Sequence, residues 1–213
     1  MSDIKTTPHA LLPGASTMTF HITGTTPLLM SNVRGADKLD PAVKELDALT
    51  SRKKAKTISD AEFEAEKSRM QFHIAIYWSE EHGVILPGHN LFRSFMEGAS
   101  ALGRLGTKLD GAVVDFTNEC PISPWAEKFD SAEDLFNDGQ CTHRVPVKIG
   151  QAMVTKTRPM FSQWETHFSL SFLEDQIDPD QVYQAAILAG TLKGVGDGRK
   201  RGYGKGRFNV EVV

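Results

Sequence analysis

The sequence has few of the features that mark secreted, membrane-spanning or disulfide-rich proteins. It holds only two cysteines in 213 residues, too few for a disulfide framework and typical of a reducing compartment. No apolar run approaches the roughly 18 residues of a membrane span, and the polar N-terminus lacks the apolar core of a signal peptide. We therefore expect a cytoplasmic protein with no membrane partner.

Neither sign of charge is in large excess, since the net charge is only −3. The distribution is nevertheless uneven. The segment 190–213 holds six basic and two acidic residues, whereas the rest of the chain holds 18 basic and 25 acidic residues. A mildly acidic body with a concentrated basic segment indicates a local anion site.

The basic segment is also rich in glycine. Between Lys193 and Phe208, six glycines are interleaved with basic side chains; we call residues 194–207 the glycine loop. Glycine adopts positive φ readily and allows close approach to a backbone, and neighbouring Lys and Arg offer positive charge and N–H donors to phosphates. The candidates here for contact with nucleic acid are Lys193, Arg199, Lys200, Arg201, Tyr203, Lys205 and Arg207.

No cofactor or metal site is predicted. A dinucleotide-binding loop follows a strand and opens a helix, but here the pattern predicts a helix before the glycines and a strand after them. The Walker spacing is absent as well. Cys120, Cys141 and His143 offer three metal ligands in principle, but they include no C-x₂-C pair and a fourth ligand is unassigned.

The element pattern predicts an α+β domain of the ferredoxin-like (RRM-like) class, βαββαβ, over 1–213. Its strands and helices are expected at 18–24, 90–102, about 145–157, 163–173, 179–192 and 207–213. Residues 1–16 are expected to be a flexible arm. An insertion with helices and a hairpin separates the first strand from the first helix, and its part 31–72 is expected to project like a thumb.

Local signals place the smaller elements. The dipeptide Asp40-Pro41 is typical of a helix start, and the stretch Ser59-Asp-Ala-Glu62 forms a capping-box pattern that opens a helix to about residue 70. Residues 72–78 alternate and predict a strand, whereas 103–111 predicts a loop. Asn90 is a plausible cap for the helix that follows it.

Three stretches together resemble the RAMP superfamily, which holds the RNA-binding subunits of CRISPR effector complexes and related endoribonucleases. The glycine loop after the second helix is the most specific of them. Thr26-Pro-Leu-Leu-Met30 is similar to the family's Thr-Pro-Leu-hydrophobic segment. Leu86-Pro-Gly-His-Asn-Leu-Phe-Arg93 is similar to the element that opens its first helix, with His89-Asn90 in place of the usual small pair. The resemblance covers 18–30, 84–102 and 145–213.

The resemblance implies single-stranded nucleic acid, RNA more than DNA, held by its backbone. It also implies subunits stacked side by side in a helical filament or a CRISPR-type ribonucleoprotein complex, with a phage or stand-alone relative as a further possibility. The thumb-like insertion would then touch the strand or a neighbouring subunit. Basic candidates outside the glycine loop are Arg52, Lys53, Lys54, Lys56 and Arg158.

Two other functions remain open. Some RAMP proteins cut RNA with a histidine near the first helix or an aspartate after the first strand, and His89 and Asp37 occupy such positions here. An endoribonuclease is therefore one alternative, although an aspartate beside Asp40-Pro41 also fits a helix start. The other alternative is an interaction protein that keeps the fold and mimics or docks onto a CRISPR-type or phage complex without binding nucleic acid.

Overall fold

The computed structural model describes residues 5–9, 12–199 and 204–213, and these form an α+β fold with antiparallel sheets. The strands are β1 (Thr7–Pro8), β2 (Ala15–Gly24), β3 (Leu28–Leu29), β4 (Trp78–Ser79), β5 (Gly83–Pro87), β6 (Val113–Phe116), β7 (Glu119–Pro121), β8 (Thr142–Ile149), β9 (Ala152–Phe161), β10 (Glu165–Leu173) and β11 (Phe208–Val212). The α-helices are α1 (Pro41–Lys54), α2 (Asp60–Ala75), α3 (Gly88–Ala99), α4 (Leu105–Ala112), α5 (Ala132–Asp138) and α6 (Pro179–Leu188). Single helical turns lie at Val33–Ala36, Ser100–Leu102 and Ala189–Lys193. In the described residues no helix combines the length and apolar character needed to cross a bilayer.

The central sheet is built around β2. Along one edge β2 pairs with β10, and along the other it pairs with β11 and, near its start, with β1. The far edge of β10 pairs with β6, so the order across the sheet is β11–β2–β10–β6. In the chain, α3 lies between β2 and β6, and α6 lies between β10 and β11.

One face of the central sheet forms the core. The fully buried side chains of β2 are Met18, Phe20 and Ile22, which follow the two-residue period of a half-buried strand. From α3, the ring of Phe95 packs edge-on against Phe20 and Phe168, with ring centroids 5.2 and 5.4 Å away. α6 packs tightly beside α3, because a Cβ on Gly98 would come within 2.4 Å of the Ala185 carbonyl oxygen.

The prediction that residues 145–157 pair within the central sheet is wrong. These residues belong to the β8–β9 hairpin, which runs in continuous register from Thr142–Pro159 to Ile149–Ala152 and pairs with β3. The strand beside β10 is β6, which follows α4 directly. The four residues of β6 form too short a pattern to show the alternation of a strand. The loop predicted over 103–111 is wrong as well, because α4 occupies most of that segment.

Helix ends were predicted with mixed success. Asp40 caps α1 with proline in the first turn, and the capping box of Ser59 and Glu62 is present at the start of α2. The strand predicted over 72–78 is wrong, because α2 continues to Ala75 and buries its last turn. Asn90 does not cap α3, whose N-cap position is Pro87 with no side-chain hydrogen bond.

The two segments predicted to lie outside the βαββαβ pattern, 1–16 and 31–72, both contact the rest of the protein. In the segment 1–16, β1 pairs with β2. Within 31–72, α2 packs on β9, where the Ser68 and Thr157 hydroxyl oxygens are 2.8 Å apart and the Thr157 backbone N–H donates to Gln71 at 2.9 Å. The inserted region is therefore anchored to the β8–β9 hairpin through α2.

Candidate nucleic-acid interface

The glycine loop lies directly against the Thr26–Met30 stretch. The backbone N–H of Asp197 donates to the Leu29 carbonyl oxygen at 2.8 Å, and the N–H of Gly206 donates to that of Pro27 at 2.9 Å. Through these bonds the glycine loop pairs with the short strand β3 along the edge that β9 does not occupy. Two stretches that lie far apart in the chain are thus joined by their backbones.

Side chains complete this junction and connect it to the middle of α3. The Thr26 hydroxyl donates to the Gly204 carbonyl oxygen and accepts from the Arg207 N–H, both at 2.8 Å. From α3, the buried Ser94 hydroxyl donates to the Gly194 carbonyl oxygen at 2.8 Å. Thr26–Met30 and the glycine loop therefore meet at one place, against the helix α3 in which the Leu86–Arg93 stretch ends.

The glycines of the loop differ in what they do. Gly206 has φ of +65°, and a Cβ there would lie 1.8 Å from the Val195 carbonyl oxygen. Gly204 also has positive φ, +56°, but a Cβ there would have no neighbour within 4 Å among the described residues. Gly206 is therefore required by the internal packing of the loop, whereas no described residue occupies the space beside Gly204.

Two of the predicted phosphate ligands are held by carboxylates. Arg199 donates from Nη1 and Nη2 to the two carboxylate oxygens of Glu97, at 2.8 and 3.0 Å, and only 15% of its side chain is exposed. Arg158 forms an ion pair with Asp197 and is 11% exposed. These arginines fasten the glycine loop to α3 and to β9, so their charge is largely compensated inside the protein.

His143, Arg158 and Lys205 lie close together where the β8–β9 hairpin faces the loop, and we call them the basic cluster. His143 and Arg158 are cross-strand partners, and burial, followed by the charges of Arg158 and Lys205, lowers the pKa of His143. The Lys205 stem covers Gly198, where a Cβ would lie 3.1 Å from the lysine Cγ. Among the described residues, Nε of Arg158 and Nη1 of Arg207 are buried and have no hydrogen-bond partner.

The other basic candidates are not brought into this cluster. Arg52 and Lys53 lie at the end of α1 in ion pairs with Glu66 and Asp60 of α2. Positive charge at this end of a helix also compensates its dipole. Lys54 and Lys56 are exposed nearby, and Lys193 ends the helical turn before the glycine loop. Lys200, Arg201 and Tyr203 lie outside the described residues.

The catalytic candidates occupy structural or isolated positions. Asp37 accepts a hydrogen bond from the Leu39 N–H at 2.8 Å and so closes a turn. Its neighbour Asp40 caps α1 and pairs with the Arg34 guanidinium, which lowers the pKa of the Asp40 carboxyl. His89 is exposed in the first turn of α3.

The described residues contain no group of three or more His, Cys, Asp or Glu side chains placed to hold a metal ion. Cys120 and Cys141 are both buried, and burial raises the pKa of each thiol to about 12. Thiolates are the metal-binding form of cysteine, so both side chains act as small apolar groups in the core.

A cavity of about 260 Å³ opens beside the loop junction, with Ser31, Tyr77, Asn90 and Arg93 among its lining. The sequence had marked Asn90 only as a cap and had not marked Ser31 or Tyr77 at all. The available signal was the resemblance of Leu86–Arg93 to a family motif, and the structure places Asn90 and Arg93 of this motif in the same cavity as Gly196 and Asp197 of the glycine loop. No protein-family model matches the chain, and a search of curated proteins found no match.

Proposed function

We propose that this protein binds single-stranded nucleic acid through its backbone, as a RAMP-like subunit, with RNA favoured over DNA by the family resemblance. One observation carries the proposal. The Thr26–Met30 stretch, the middle of α3 and the glycine loop are distant in sequence, yet hydrogen bonds join them beside a basic cluster.

The arrangement of the central sheet supports a ferredoxin-like domain. The chain order β2–α3–β6–β10–α6–β11 is the βαββαβ order. Across the sheet the first of these strands lies between the third and the fourth, and the second lies at the edge. In this proposal β6 is the second strand, and the β8–β9 hairpin is an addition between β6 and β10.

The charges near the loop support contact with a small number of phosphates. Arg199 and Arg158 have carboxylate partners. Among the described cations this leaves Lys193, directly before the glycine loop, and Lys205 and Arg207, within it, to bind the strand. A buried N–H without a partner costs about 1–3 kcal/mol. A phosphate oxygen that reached Arg158 or Arg207 after a small side-chain movement would offset that cost.

The inserted region supports assembly with further copies. Val33 and Leu39 are 77% and 75% exposed, although both are large apolar side chains. They lie at the start of the insertion that the resemblance assigns to contacts between subunits or with the strand. We therefore include side-by-side stacking in the proposal.

Equilibrium binding of a labelled single-stranded oligonucleotide tests the function. The double variant Lys193→Gln/Lys205→Gln removes one charge directly before the glycine loop and one within it, and is expected to weaken binding of all sequences about equally. The matched control Lys5→Gln/Lys108→Gln removes the same charge from exposed positions elsewhere and is expected to bind as the wild type does. Absence of binding by the wild type to both RNA and DNA would overturn the proposal.

A further inference from the structure

The cavity beside the loop junction has an apolar floor and polar walls. Its floor includes Met30 and Leu86, both 1% exposed. Its walls include Tyr77, from the segment after α2, and Asn90, from the first turn of α3. At about 260 Å³ it is smaller than the roughly 300–1,000 Å³ typical of sites for drug-sized ligands. Its volume is suited to a single small group.

The charges around the cavity are almost balanced, which disfavours a phosphate as its occupant. Arg199 is bound at two points by Glu97, and Asp197 is paired with Arg158. The remaining guanidinium, that of Arg93, shares Glu97 with Arg199, with its Nε 3.7 Å from Glu97 Oε1, and the Arg93 side chain is 73% exposed to solvent. A neutral ligand therefore fits this site better than an anion does.

Three polar side chains in the walls have unused hydrogen-bonding capacity. In the part of the chain that the structure describes, the Ser31 hydroxyl, the Tyr77 hydroxyl and the Asn90 carboxamide form no hydrogen bond. A carboxamide presents donors and an acceptor side by side. This pattern matches the edge of a nucleobase, as in the two-point pairing of Asn with adenine.

We propose that this cavity takes up one nucleobase that is turned out of the bound strand. Asn90 and Ser31 bind the edge of the base, the Tyr77 ring lines its side, and Met30 and Leu86 lie beneath it. The inference rests on the proposed function, because Lys205 and Arg207, two of the cations assigned there to the strand, would hold the sugar–phosphate backbone of the same strand. The cavity therefore adds one contact with a base to a binding mode in which the protein otherwise contacts only the phosphates of the strand.

Two probes separate the base from the phosphates. The first is a single-stranded oligoribonucleotide compared with an abasic oligomer of the same length and charge. The second is the set of four neutral nucleosides, with ribose 5-phosphate as the phosphate-only counterpart, observed through the NMR signals of the Asn90 side-chain amide. The variant is Asn90→Ala, with Asn137→Ala on helix α5 as the matched control.

We expect the wild type to bind the intact oligomer about tenfold or more tightly than the abasic one, as base contacts of this kind generally provide. Asn90→Ala should remove most of that difference without changing affinity for the abasic oligomer, and Asn137→Ala should retain it. At least one nucleoside should shift the Asn90 signals, whereas ribose 5-phosphate should not.

The failures are distinguishable. Equal affinity for intact and abasic oligomers, with no nucleoside shift, overturns the base pocket and leaves the proposed function standing. A nucleoside shift without oligomer binding supports the pocket and overturns the proposed function. Absence of binding by every probe overturns both, and a full intact-to-abasic difference in Asn90→Ala overturns the role of Asn90.

Discussion

The guanidinium of Arg199 and the carboxylate of Glu97 meet at two points, with nitrogen–oxygen distances of 2.8 and 3.0 Å. The same guanidinium donates to the Gly194 carbonyl oxygen at 3.4 Å. One side chain therefore connects the glycine loop to α3 and to the start of the loop itself. A residue that the sequence suggested as a phosphate ligand acts first as an anchor.

Removing the anchor's partner should destabilise the fold. In Glu97→Ala the largely buried Arg199 loses its charged partner, and charge-assisted hydrogen bonds contribute roughly 1.5–3 kcal/mol. We expect the free energy of unfolding, measured in urea, to fall by about 2 kcal/mol. Glu174→Ala, at an exposed position, should change it little, and equal stability of the two variants would show that the pair is not an anchor.

Two alanine substitutions in the glycine loop should differ sharply. Both Gly204 and Gly206 have positive φ, so alanine at either position costs roughly 1–2 kcal/mol in backbone energy. Only at Gly206 does the added Cβ meet a backbone oxygen, at 1.8 Å. The Gly206→Ala variant should therefore be clearly less stable than Gly204→Ala in urea unfolding. Similar midpoints would contradict the packing of the loop described above.

His143 should make stability depend on pH. Its pKa lies below the usual 6.5 because burial, and then the charges of Arg158 and Lys205, disfavour the imidazolium. The folded state therefore binds this proton less readily than the unfolded chain does. The resulting stability is present above pH 6.5 and is lost as the pH falls through 6.5 toward the folded pKa. In His143→Gln, the free energy of unfolding should fall less steeply with acidification than in the wild type.

The same histidine reports on phosphate binding. A phosphate near Arg158 and Lys205 would offset the charges that disfavour the imidazolium, so an oligonucleotide should raise the pKa of His143. An NMR titration of the ring protons with and without oligonucleotide measures this. An unchanged pKa in a saturated complex would place the phosphates elsewhere.

Features encoded by short local patterns were predictable. The alternation of β2 and β10 and the caps of α1 and α2 depend on residues within a few positions of one another. β6 was not predictable, because its four residues are too few to show a strand pattern and form a strand only by pairing with β10, which lies about 50 residues later in the chain. Likewise, the charge of Arg199 was visible in the sequence, but its partner Glu97 lies 102 positions away. Lys200, Arg201 and Tyr203, outside the described residues, stay predictions.

Cleavage of RNA is not expected from the catalytic candidates. Asp37 closes a turn through its carboxylate, and His89 lies on the exposed first turn of α3. Labelled RNA incubated with the wild type and Mg²⁺ should remain intact on a denaturing gel. Product that disappears in Asp37→Ala or His89→Ala, but not in the control His82→Ala, would reinstate the endoribonuclease alternative.

The salt dependence of oligonucleotide binding tests the central proposal most directly. For single strands, the logarithm of the association constant falls with the logarithm of salt concentration with a slope of roughly −0.7 per phosphate contact. If Lys193, Lys205 and Arg207 each bind a phosphate, the slope should be about −2, and Lys193→Gln/Lys205→Gln should make it clearly shallower. A wild-type affinity that is independent of salt, or no measurable affinity at low salt, would contradict backbone recognition by the glycine loop.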